Sequence, residues 1–225
     1  MHDFLLSIMP VTLWLEVAFH ACLIAFLIKG WKKTGNKLFL LSALVTAGLL
    51  YDAFILALGT VLPAGGFLKG LSQVRYISHG GLIPLLLPIC AYALNMKKTG
   101  KTIVWVITGI LIALGLGSGI CTGTAAESIG TVRYACDKAL TPGWAYTVST
   151  SVLAYGMVIP LIIAGIIAWI KQKTPLLFLS GFFMFAFSAL GPATGNFDLI
   201  FFISTFGEVL MVLFFYLYAK KKSKA

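Results

Sequence analysis

Apolar and polar residues fall in long alternating blocks along this chain, and seven of the apolar runs are of bilayer length. The pattern predicts membrane-spanning helices at about 10–28, 37–59, 73–94, 102–120, 144–170, 175–191 and 197–219. A helix needs roughly 20 apolar residues, at about 1.5 Å each, to cross a hydrocarbon core of about 30 Å. The sixth run is the shortest, and Gly191-Pro192 is expected to end its helix. Lipid offers a backbone no hydrogen-bond partner, so spanning segments rich in such runs fold as helices. Residues 1–225 therefore read as one all-α domain, a polytopic seven-transmembrane helix bundle.

The polar segments between the runs divide the charge. Alternate segments hold Lys29, Lys32, Lys33, Lys37, Lys97, Lys98, Lys101, Lys171, Lys173, Lys220, Lys221, Lys222 and Lys224, with no acid among them. Of the 17 cations, that leaves Lys69, Arg75, Arg133 and Lys138 for the other side. Positive charge collects on cytoplasmic loops, so the N-terminus is predicted outside and the C-terminus cytoplasmic. The first nine residues carry no Lys or Arg, hence no basic leader region, and the first span is expected to remain in a cytoplasmic (plasma) membrane.

Composition supports this and narrows the partners. The chain is 60% hydrophobic with only 11% charged residues, too few to solvate a globule. Its net charge of +10 lies at span ends rather than on one face. That distribution suits lipid headgroups, so the bilayer is the expected partner and nucleic acid is not. Seven spans are also the count of retinal proteins, but no Lys lies inside a span, so a retinal Schiff base has no anchor. A 3+1+3 arrangement resembles the PQ-loop transporters in helix number, yet the Pro-Gln pair of that family is missing.

The longest polar segment, about 121–144, contains Cys121 and Cys136, whereas Cys22 and Cys90 lie within spans. On the side predicted to be oxidising, a Cys121–Cys136 disulfide is expected. Closing a loop of about 15 residues would be worth about 3 kcal/mol.

Ionisable residues inside spans are costly and commonly functional. They are Glu16 and His20 in the first span, Asp52 in the second, Arg75 and His79 in the third, and Asp198 and Glu208 in the seventh. All are expected between the midplane and the outer surface. Glu16/His20 and Arg75/His79 are i,i+4 pairs, each on one helical face. Asp198, Thr205 and Glu208 fall within about 80° on a 3.6-residue helix. Near His79, Pro84 and Pro88 free the carbonyls of Gly80 and Pro84, which predicts a kink. The glycines at 109, 115, 117 and 119 read as a close-packing face.

Three kinds of chemistry fit these residue types. His20, His79 and Asp52 are candidate ligands for a divalent metal such as zinc, whose bound water would attack a lipid ester or amide. Glu16, Asp52 and Glu208 are candidate catalytic acids and bases, and Arg75, Tyr76 and Asp198 candidate substrate-binding groups at the outer mouth. The same set can instead form a proton- or cation-coupled transport path or a ligand-binding site. Haem between His20 and His79 ranks third, because their depths differ by roughly 6 Å. The leading expectation is a metal- or acid/base-dependent enzyme for a lipid-like or small hydrophobic substrate.

Overall fold

The computed structural model describes residues 2–223, so Lys224 lies outside it. Seven helices long and apolar enough to cross a membrane follow in order: α1 (His2–Thr34), α2 (Lys37–Leu58), α3 (Gly66–Ala93), α4 (Lys98–Cys121), α5 (Gly143–Gln172), α6 (Leu176–Ala193) and α7 (Phe197–Lys222). This architecture fits an integral membrane protein. Most of the helices outrun the predicted limits at one end or both, α1 most of all, because it continues through Pro10 to His2, whereas α2 stops one residue short. α6 likewise passes Gly191-Pro192 and stops at Ala193.

Neighbouring helices in sequence pack on one another, and α7 closes back on α1 and α2. The main core joins Leu23 and Leu27 of α1 to Leu41, Val45 and Leu49 of α2, Leu86 and Ile89 of α3, Leu161 of α5 and Phe215 of α7. The α3–α4 contact depends on small residues. A Cβ at Gly80 would strike the backbone of Gly115, and one at Gly115 would strike Gly80. Gly119 likewise lies against the backbone of Tyr76 and Ile77, but a Cβ at Gly109 would meet open space. The expected glycine face is thus confined to Gly115 and Gly119.

Two helices are irregular. α3 passes into a 3₁₀ turn at Ile83–Leu85, one turn beyond His79, where Pro84 interrupts the ladder as expected. α5 contains a π-helical turn at Val148–Val152, which the sequence pattern did not predict. There Ser149 Oγ donates to the Ala145 carbonyl at 3.0 Å and Thr150 Oγ1 to Tyr146 at 2.7 Å. Such back-bonding competes with the helical ladder and loosens it.

The segment between α4 and α5 is not a bare loop. Strands β1 (Thr124–Ile129) and β2 (Thr131–Cys136) form an antiparallel hairpin, turned at Gly130 with φ of 68°. A positive φ is a conformation that glycine adopts without a Cβ penalty. The hairpin is tied to the bundle end: Thr131 Oγ1 donates to the Leu56 carbonyl at 2.7 Å and the Val132 amide to Gly59 at 2.9 Å. Tyr134 Oη donates to the Gly65 carbonyl at 3.1 Å.

The expected disulfide is absent: Cys121 and Cys136 are both free thiols. Cys121 ends α4 with its side chain exposed, while Cys136 Sγ stands 3.5 Å from Thr141 Oγ1. Backbone and hydroxyl bonds close the loop instead, with Asp137 N donating to Gly123 O at 2.9 Å and Gly123 N to Thr141 Oγ1 at 3.0 Å.

Candidate intramembrane site

The i,i+4 spacing on α3 places Arg75 and His79 on one face, and that face meets Asp52 of α2. Arg75 Nε donates to Asp52 Oδ1 at 2.9 Å, and His79 Nδ1 lies 3.9 Å from Asp52 Oδ2. Both members of the ion pair are largely enclosed, with side chains 11% and 16% exposed. Arg75 Nη2 also donates to Tyr76 Oη at 3.3 Å, and Tyr76 Oη donates to the Tyr134 carbonyl of the hairpin at 3.1 Å. The hairpin thereby fixes the same α3 turn that holds Asp52.

Asp52, Arg75 and His79 form one wall of a cavity of about 310 Å³ between α2, α3, α5, α6 and α7. That is at the lower end of the roughly 300–1,000 Å³ of small-molecule sites. Glu208 and Ser204 of α7, Ser188 of α6 and Tyr155 of α5 also face it, among apolar groups that include Leu153, Phe185, Phe201 and Met211. The irregular turns of α3 and α5 border it, since Ile83 and Leu153 are in its lining. α5 and α6 approach closely where Gly165 meets Phe178 and Gly181 meets Ile162. Towards the hairpin end, Tyr155 and Phe185 both line the cavity and are exposed on the bundle surface, at 60% and 47%. The cavity therefore opens sideways between α5 and α6.

Glu16 and His20 stand apart from that wall, at the α1–α7 contact. Thr205 Oγ1 donates to Glu16 Oε1 at 2.8 Å, and His20 Nδ1 donates to the Glu16 backbone carbonyl at 2.8 Å. α1 and α7 run in the same direction, so His20 lies about 6 Å and Glu208 about 4.5 Å beyond the Glu16–Thr205 level. Glu16 Oε2, His20 Nε2 and Glu208 Oε2 have no hydrogen-bond partner among the described residues. All three residues are at least nine-tenths buried.

Among the described residues, no three His, Cys, Asp or Glu side chains gather as metal ligands. Tyr76 is spent on Arg75 and the hairpin. Asp198 pairs with His2 at 2.8 Å rather than with Arg75, and neither Tyr76 nor Asp198 lines the cavity. Most other hydroxyls at this depth serve packing: Tyr51 Oη donates to Leu71 O, and Ser78 Oγ to Arg75 O.

Sequence reasoning missed Ser188 and Phe185 of the cavity, and the role of Arg133. That guanidinium donates to Glu127 at 2.5 Å and stacks 3.9 Å above the ring of Phe201, on the hairpin side of the cavity. Its alternation within Thr131–Cys136 was the available signal, but no long apolar run marked the hairpin. No protein-family model and no curated protein matches this chain.

Proposed function

We propose that this membrane protein binds a lipid-like or small hydrophobic molecule within the bundle and performs acid/base chemistry on it. The observation that carries the reading is Asp52, held between Arg75 at 2.9 Å and His79 at 3.9 Å in the wall of a cavity that opens sideways. Each residue then has a role. Arg75 fixes the carboxylate; Asp52, 3.9 Å away, supplies the charge that a protonated imidazole pairs with; His79, 40% exposed and in the cavity lining, exchanges the proton. Apolar walls beside a few convergent polar groups are what such a site needs. The hairpin end is taken as extracytoplasmic, from the lysines at the other end.

A second reading, a proton-coupled transporter, is favoured by the buried atoms Glu16 Oε2, His20 Nε2 and Glu208 Oε2, which have no hydrogen-bond partner among the described residues and extend from the cavity wall towards α1. One experiment separates the two. The purified protein is incubated with total lipid extract of its host membrane, and products are followed by mass spectrometry. Conversion of a lipid-like species that is lost in His79→Ala and Asp52→Asn supports the enzyme. No conversion, with pH-driven flux into vesicles that fails in Glu208→Gln, replaces it with the transporter.

A further inference from the structure

Carboxyl groups outnumber guanidinium groups in the bundle interior. Glu16, Asp52 and Glu208 supply three carboxyls within the spans, and Arg75 is the one guanidinium facing them among the described residues. Arg75 is already committed, through Nε to Asp52 and through Nη2 to Tyr76. Glu208 is left over. It is 6% exposed, lines the cavity, and keeps Oε2 without a partner among the described residues.

The hydroxyls beside it carry the same preference. Ser204, one turn before Glu208, donates its proton to the Phe201 carbonyl at 3.2 Å. Ser188, facing from α6, donates to the Met184 carbonyl at 2.8 Å. With both protons turned back into their own helices, the two Oγ atoms offer lone pairs to the cavity. Glu208, Ser188 and Ser204 together make this side of the cavity a set of acceptors. The sideways opening is flanked by aromatic rings, Tyr155 and Phe185, whose faces attract a cation.

We propose that the ligand of this cavity is an amphipathic amine, with its protonated amino group seated on Glu208 and its hydrocarbon leaving between α5 and α6. The inference rests on the reading of the cavity as a ligand site. An ammonium brings three donors and no acceptor, and its charge offsets that of a carboxyl. A carboxylate or phosphate amphiphile would set its charge against Glu208 and compete with Asp52 for Arg75. An alcohol would bring one donor and leave the carboxyl uncompensated.

The test compares dodecylamine, dodecanol and dodecanoate on the purified protein in phosphatidylcholine nanodiscs. Binding is read by native mass spectrometry and by the shift in melting temperature. The expected result is one bound dodecylamine and a raised Tm, neither dodecanol nor dodecanoate matching it. Glu208→Gln should weaken the amine at least tenfold, and Ser188→Ala should weaken it less. Should Glu208→Gln fail to fold, the three-probe comparison on the unaltered protein still decides. Dodecanoate or dodecanol binding as well as or better than the amine overturns the inference while the ligand-site reading stands. Absence of binding by all three overturns both.

Discussion

Arg75 Nε and Asp52 Oδ1 meet at 2.9 Å inside the bundle, joining α3 to α2 at the cavity wall. An enclosed ion pair is asymmetric in its energetics. Its formation gains little net stability, because both charges were desolvated, but removing one partner strands the other. Arg75→Met or Asp52→Leu alone should therefore cost about 3–5 kcal/mol. The double variant should recover most of that loss. A double-mutant cycle from unfolding in mild detergent measures this, and additive losses would show that the pair is not coupled.

Thr205 and Glu16 make the corresponding link between α7 and α1, at 2.8 Å and almost fully buried. Thr205→Val keeps the shape and removes the donor. It should destabilise by about 1–3 kcal/mol, the cost of leaving a buried acceptor unsatisfied. Thr102, whose hydroxyl donates only to its own helix on the α4 surface, supplies the control. Thr102→Val should change stability by less than about 0.5 kcal/mol. Equal effects at the two sites would contradict the assigned role of the Glu16 contact.

The α3–α4 crossing depends on two glycines whose backbones exclude any side chain. Gly115→Ala should force the helices apart and cost about 1–3 kcal/mol, the range for overpacking. Gly109→Ala, only two turns earlier on the same helix, meets open space and should be neutral or slightly stabilising. Their unfolding midpoints should therefore move in opposite directions or differ clearly. The separation of α3 should also disturb the His79 side of the cavity, seen as weaker ligand binding in Gly115→Ala.

These contacts show where the sequence was readable. Hydropathy located all seven spans because burial in lipid acts on every residue of a run. Helical spacing paired Arg75 with His79 because both lie on one helix. Depth alone grouped Glu16 and His20 with Asp52, but depth carries no information on azimuth, and α1 turns Glu16 towards Thr205 instead. Asp198 was grouped with Arg75 at the outer mouth as a substrate-binding candidate, yet His2, ahead of the predicted first span, pairs with it. The hairpin was hidden for a different reason. Its strands are short, and much of what holds them is hydrogen bonding to the ends of α2 and α3 through Thr131, Val132 and Tyr134, contacts that no local pattern encodes.

The free thiol at the end of α4 supplies a test of orientation. Cys121 is exposed beside the hairpin, Cys90 is buried, and Cys22 lies midway along the apolar α1. With the hairpin end extracytoplasmic, a membrane-impermeant maleimide should label intact cells expressing the protein, and Cys121→Ser should abolish most of that labelling. A cysteine placed at the opposite end, Lys33→Cys in the Cys121→Ser background, should react only after the membrane is permeabilised. Mass spectrometry without reductant should find Cys121 and Cys136 unlinked. The reverse labelling pattern would invert the protein in its membrane, and with it the side from which the hairpin covers the cavity.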